Sequence, residues 1–218
     1  MSATNRGSQR IEQDFYPTPL KSFLPLLPYI NQIPHKGSNT IKVWEPACGD
    51  RRLIDLMNEC NISSDGNDLE NGYDFLKDEN WHNCIITNPP FSLAQEFISH
   101  ALNHSNEVFM LLRIGFLASE KRKKFWEDNK PNALFILSKR PNFVISVKCN
   151  NLQLDHPGYH EDERNSPCGY NKIFQFEEKK DIPKKCPECG GKLSRGSSDS
   201  SEYAWFYWGR THQGLYWL

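Results

Sequence analysis

Ile41-Lys-Val-Trp-Glu-Pro-Ala-Cys-Gly-Asp50 is the stretch on which the fold turns. Its opening, Ile41-Lys-Val-Trp44, is a short β-rich apolar run. A carboxylate, a proline and a glycine then break the run, and helical spacing takes over at Leu53, Ile54, Leu56 and Met57, with a helix opening at about Arg52. A strand that ends in such a turn and feeds a helix is half of a βαβ unit. Two similar runs stand downstream, Cys84-Ile-Ile-Thr87 and Val108-Phe-Met-Leu-Leu112, and Leu93, Phe97, Ile98, Ala101 and Leu102 lie between them at helical spacing. Strands alternating with helices predict an α/β fold with a parallel sheet covered on both faces. Ala133-Leu-Phe-Ile-Leu137 offers a further strand and Tyr203-Ala-Trp-Phe-Tyr-Trp208 a last one.

Outward from this core the texture changes twice. Residues 1–13 are polar and without period and read as an N-terminal arm, with structure expected from about Phe15. From 148 to 197 the chain is charged, rich in Asn, Pro and Gly, and has one good apolar run, Ile173 to Phe176. It reads as an insertion, leaving 14–147 and 198–218 as the main domain. With the insertion removed, Arg140-Pro-Asn-Phe143 meets Ser200-Ser-Glu-Tyr203, so the two final strands become a hairpin with an elaborated loop. A chain of 218 residues suffices for one domain with such an appendage.

The 26 Lys+Arg stand against 27 Asp+Glu, which excludes nucleic-acid binding through net charge alone. Charge is partitioned, however: Glu45 to Asn80 carries ten acids and three bases, whereas Arg113 to Arg140 carries eight bases and three acids, densest at Lys121-Arg-Lys-Lys124. The basic segment is either a solvated helix face or a phosphate-contact patch. No stretch approaches the roughly 20 apolar residues of a membrane helix, and Met1 to Asp14 lacks the apolar segment of a signal peptide. A cytoplasmic protein with no membrane partner is expected. Seven cysteines, an odd set, suit a reducing compartment.

Two loops carry chemistry. In an open parallel sheet, ligands bind at the carboxyl ends of strands, where the Glu45-Pro-Ala-Cys-Gly49 turn would let backbone approach a nucleoside cofactor closely. In Ile85-Ile-Thr-Asn-Pro-Pro-Phe91, two prolines directly after a strand forbid both helix and ladder, which holds the loop rigid with its carbonyls unpaired. Those carbonyls and the Asn88 amide can accept hydrogen bonds from a planar amino group while Phe91 stacks on its ring.

Glu45-Pro-Ala-Cys-Gly49 followed by Asn88-Pro-Pro-Phe91 resembles the S-adenosylmethionine-dependent amino-methyltransferases. The similarity is closest to the adenine-N6 DNA methyltransferases of bacteriophages and restriction-modification systems. Asp14-Phe-Tyr-Pro-Thr-Pro19 is similar to the family's N-terminal motif, and Arg140-Pro-Asn-Phe143 and Asp199-Ser-Ser-Glu-Tyr-Ala-Trp205 to the closing segments of phage members. The resemblance implies a Rossmann-like class I methyltransferase fold with a mostly parallel sheet. It implies S-adenosylmethionine held by Tyr16, Thr18, Glu45, Pro46, Ala47, Gly49, Asp68, Asp74 and Phe75, with Asp68 on the ribose hydroxyls and Asp74-Phe75 at the adenine. Asn88, Pro89, Pro90 and Phe91 would serve catalysis on a flipped adenine of DNA. The chain departs from the family at Arg51, where many members have a second glycine. The same loop would also suit an RNA base or a protein glutamine amide, and a weakened cofactor turn would leave a DNA-binding protein without catalysis.

Cys186-Pro-Glu-Cys-Gly-Gly191 is a Cys-x-x-Cys with Pro and Gly in knuckle-like positions, a shape that turns two thiolates toward one tetrahedral zinc ion. Cys149 and Cys168 are the best supply of two further ligands, with His156 and His160 competing for either place. Roughly fifty polar residues cannot order themselves by apolar burial, and a structural zinc would clamp them. The insertion is thus expected to be a zinc knuckle between the last two strands, serving target recognition.

Overall fold

The computed structural model describes residues 18–35, 41–141, 143–149, 171–175, 182–197 and 201–218. The N-terminal arm, Phe15, Tyr16, His156, His160 and Cys168 lie outside the described residues. In chain order the elements are α1 (Leu20–Phe23), α2 (Leu27–Ile30), β1 (Lys42–Glu45), α3 (Arg52–Glu59), β2 (Ser63–Gly66), β3 (Cys84–Thr87), α4 (Ala94–His104), β4 (Val108–Arg113), α5 (Lys123–Asp128), β5 (Ala133–Ile136), β6 (Val144–Cys149), β7 (Asn171–Gln175), β8 (Leu193–Ser197), β9 (Tyr203–Trp208) and β10 (Gly214–Trp217).

They divide into two compact units. Arg10–Pro141 together with Ser201–Leu218 holds a seven-stranded sheet in the order β10-β5-β9-β4-β3-β1-β2. Asn142–Ser200 belongs to the second, whose three strands pair antiparallel in the order β7-β6-β8. Val144–Cys149 therefore groups with the second sheet.

In the first unit the pairings β2-β1-β3-β4 and β5-β10 are parallel, while β9 runs antiparallel between β4 and β5. This is an open, Rossmann-like sheet with one reversed strand. The expected hairpin is present as the β5-β9 pair, Ala133 opposite Tyr207 and Ile136 opposite Ala204. β10 follows the strand expected to be last, so that expectation is corrected: Leu215 and Trp217 stay exposed on this edge strand, which has none of the burial that marks the others.

Burial on both faces explains why β3 and β4 read as unbroken apolar runs. On one face Phe97, Ile98 and Ala101 of α4 pack with Ile85, Val108, Met110, Leu112, Phe206 and Trp208, and Trp126 of α5 stacks on Phe206. On the other, Phe23 meets Trp205, whose Nε1 donates to Ser22 O at 2.9 Å, and Tyr29 lies on Phe135 with ring centroids 4.7 Å apart. No helix among the described residues is long and apolar enough to cross a membrane.

Candidate cofactor and substrate site

β1 pairs with β2 on one side and with β3 on the other, so the chain reverses its direction of travel across the sheet between β2 and β3. At such a switch point the loops after neighbouring parallel strands part and leave a crevice at their carboxyl ends. The two loops are those singled out in sequence: Glu45–Gly49 after β1, and Asn88–Phe91 after β3.

Glu45 ends β1 at 2% exposure, and neither carboxylate oxygen has a hydrogen-bond partner of good geometry among the described residues. The same holds for Thr87 Oγ1, at the end of β3. Burial pushes the Glu45 carboxyl well above the ordinary carboxylate range. The Thr87 hydroxyl and the backbone amides of Ala47 and Asn88 oppose this, and the negative charge of Asp68 adds to it. A buried carboxyl of this kind lacks a cation or a set of donors. Its neighbour Cys48 is buried as well, with a thiol pushed up to about 11 by burial and by Glu45 and Asp68.

The β1 turn is stitched to the segment after β2. Asn67 N donates to Glu45 O and Cys48 N to Asn67 O, both at 3.1 Å, and Gly49 N donates to Asp68 Oδ2 at 2.8 Å. Asp68 Oδ1 accepts from Glu70 N at 3.1 Å, capping the short turn Leu69–Asn71. Gly66 makes this contact possible, because a Cβ there would stand 2.1 Å from Glu45 O. Gly49 adopts φ +49°, which suits glycine, and Arg51 adopts φ +63°, which does not. The Arg51 side chain lies along β2: its Nη1 donates to Gly66 O at 3.0 Å and its Nη2 to Asp65 Oδ1 at 2.9 Å. Arg51 thus lays its bulk along the sheet edge.

Pro46 is buried and Ala47 half-buried within the turn. Thr18 and Pro19 are buried ahead of α1, where Ser22 Oγ donates to Pro19 O at 2.6 Å. Asp74 caps the turn Phe75–Lys77 by accepting from Leu76 N at 3.1 Å, and Lys77 beside it holds its carboxyl below the usual range. Phe75 is 2% exposed and packs its ring on Phe97 and His100, so its side chain belongs to the core. Beside these, Asp78 accepts from the Tyr73 hydroxyl, from Asn80 N at 3.0 Å and pairs with His82 at 2.9 Å. Burial opposes ionisation, yet these bonds hold its carboxyl down to about 2. Tyr73 in turn accepts from Trp44 Nε1 at 3.1 Å, bracing β1 from below the turn.

In the second loop Pro89 is buried while Asn88, Pro90 and Phe91 are half-buried. Phe91 opens a short turn into α4. Arg113 ends β4 opposite Tyr203 of β9, donates from Nε to the Tyr203 hydroxyl at 2.9 Å, and places Cζ 5.0 Å from the Phe91 ring centroid. Tyr203 and Phe91 have centroids 6.1 Å apart. Arg113, Tyr203, Thr87 and Gly66 are not among the site residues expected from sequence. Arg113 and Tyr203 have a recoverable signal, since an arginine and a tyrosine end two runs that pair; Gly66 and Thr87 give none without the register.

Of the basic cluster, Lys123 and Lys124 pair with Glu127 and Asp128 at 3.9 and 2.8 Å, and Arg122 donates to Phe116 O while lying over its ring. In the second unit, Cys149, Cys186 and Cys189 bring their sulfurs together within 4.8 Å of one another.

No family model and no curated protein matches the chain. Among solved structures it is similar to a candidate class I S-adenosylmethionine-dependent methyltransferase from Listeria monocytogenes, with 14% identity over 61% of this chain and a TM-score of 0.43. The chain spans 57% of that protein's length. It is also similar to a candidate RNA methyltransferase from Pyrococcus horikoshii, with 13% identity over 92% of this chain and 88% of the other, and a TM-score of 0.44.

Proposed function

We propose that this protein transfers a methyl group from S-adenosylmethionine to the N6 amino group of adenine in DNA. The observation that carries the proposal is the placement of Glu45–Gly49 and Asn88-Pro-Pro-Phe91 on the two sides of one topological switch point. A cofactor loop and an amino-group loop are thereby neighbours at one crevice.

The residues present fit the cofactor: a buried carboxyl without full partners at Glu45 suits the ammonium of a methionine end, and Gly49 permits close backbone approach. Each Asp68 oxygen takes one backbone donor and keeps a lone pair for a ribose hydroxyl. When bound, S-adenosylmethionine supplies an electrophilic methyl group. Asn88 Oδ1 and the Pro89 carbonyl accept the two hydrogens of the adenine amine, which aims the nitrogen lone pair away from the loop and stabilises positive charge as it develops there. Pro89 and Pro90 fix that geometry before substrate arrives. Phe91, steadied by Arg113 and Tyr203, offers its ring to the extruded base. Exposed Lys121 of the first unit supplies a phosphate contact.

Expression in a host without adenine methylation, followed by nucleoside mass spectrometry of its DNA and RNA, tests the proposal. N6-methyladenine should appear in DNA and vanish with Asn88→Ala. Methylated adenine confined to RNA would replace the substrate, and no methylated nucleoside in either would remove the assignment.

A further inference from the structure

Cys149 ends β6 directly opposite Leu193, the first residue of β8. Cys186 and Cys189 lie in the turn that leads into β8, and that turn is closed by its own backbone. Cys186 N donates to Gly191 O at 2.9 Å, Gly190 N donates to Cys186 O at 2.8 Å, and Gly190 takes φ +71°. The three sulfurs meet: all lie within 4.8 Å of one another, and those of Cys149 and Cys189 are 3.4 Å apart. A disulfide needs about 2.05 Å. Two thiolates about 2.3 Å from one tetrahedral ion stand about 3.8 Å apart, which is the spacing approached here. Among the described residues this is the one group of His, Cys, Asp or Glu side chains that converges closely enough to hold a metal.

We propose that Cys149, Cys186 and Cys189 supply three thiolates of a structural zinc site that pins the end of β6 to the knuckle before β8. Each thiol gives its proton to solvent as the ion binds, with no change of oxidation state. The surroundings give the ion a structural task. The described apolar cluster of this unit consists of Val147, Cys149, Ile182 and Cys186, with Cys189 and Leu193 against it, so three of its six members are the ligands themselves. A small three-stranded sheet gains from a staple where half of its described apolar cluster is cysteine. Redox use is disfavoured by the local backbone, because the Cys-x-x-Cys forms a turn that leads into β8 and does not open a helix. The inference is independent of the methyl-transfer chemistry.

Metal analysis of the full chain, prepared under reducing conditions without chelator, tests it. About one zinc per chain is expected, and cobalt substitution should give the intense visible bands of a tetrahedral thiolate site. Cys186→Ser combined with Cys189→Ser should remove the metal, while Cys60→Ser, in the other unit, should retain it. In case the double variant fails to fold, stripping zinc from the unaltered protein should raise amide exchange across 143–197 and leave the seven-stranded sheet protected, and zinc should reverse the change. Metal well below one equivalent, full metal in the double variant, or recovery of Cys149 and Cys189 as a disulfide from reduced preparations would each overturn the site.

Discussion

Glu45→Gln should make the protein without cofactor more stable while making it bind S-adenosylmethionine worse. The substitution keeps the shape of a side chain that is 2% exposed and removes only its ability to carry charge. In the unfolded chain a glutamate ionises near pH 4.3. In the folded chain burial raises the carboxyl well above that value, so folding must retain a proton or bury a poorly solvated charge. The sign follows from linkage: for a raised carboxyl, stability is unaffected below the unfolded value and falls as pH rises toward the folded value. Glutamine escapes this loss. A buried, incompletely bonded polar group costs about 1–3 kcal/mol, and the amide still buries some of it, so about 1–2 kcal/mol should be recovered near pH 8. For a chain of this length that is a rise of roughly 2–8 °C in Tm. At pH 5 the difference should shrink. Cofactor binding should move the other way, since losing a charge-assisted bond to an ammonium costs about 1.5–3 kcal/mol, or about 10- to 100-fold in Kd. Thermal unfolding at the two pH values and calorimetric titration measure both arms. An E45Q protein that is less stable at pH 8, with an unchanged Kd, would refute the placement of a missing cation at this carboxyl.

Asn88→Ala should abolish turnover and leave the cofactor Kd within about threefold, because in the proposed reaction the amide acts on the amine in the transition state; single-turnover kinetics with parallel titration separates the two. Asp68→Ala removes the acceptor for Gly49 N and Glu70 N together with the proposed ribose contact, so cofactor binding should weaken by about 1.5–3 kcal/mol, as read by calorimetry. Gly66→Ala drives a Cβ into Glu45 O, and a loss of about 1–3 kcal/mol in denaturant unfolding should accompany it. Asp78→Asn should destabilise by about 1–3 kcal/mol at neutral pH, with the gap closing as pH falls toward about 2, where the native carboxyl also takes up its proton.

What sequence revealed and what it hid follow from the physics of each segment. β3, β4 and β9 are buried on both faces, and β1 beyond Lys42 and β5 alternate buried with half-buried positions, so their apolar runs announce them. The Asn-Pro-Pro-Phe loop is legible because consecutive prolines permit few conformations. β10 is exposed and short, and nothing in Gly-Leu-Tyr-Trp distinguishes it from a loop until Leu215 is found beside Leu134. α1 and α2 are hidden by Pro25 and Pro28, which read as breakers. Each falls at the start of a fresh turn, where its absent N–H is not needed. Where the Arg51 side chain goes cannot be read in sequence; its course along β2 depends on Asp65 and on the β1-β2 register. Asp74 is expected from the resemblance at a cofactor's adenine, and its capping of the Phe75–Lys77 turn shows only in the structure; the ring of Phe75 goes to the core because Phe97 and His100 come from a helix that sequence alone cannot dock.

Incubation of the purified protein with S-adenosylmethionine carrying an isotopically labelled methyl group, in parallel with duplex DNA, RNA and casein, tests the proposed chemistry most directly. The label should be recovered on N6 of adenine from DNA, in proportion to active protein, and should be absent with Asn88→Ala. Label on RNA or on a glutamine amide alone, or transfer that survives Asn88→Ala, would contradict it.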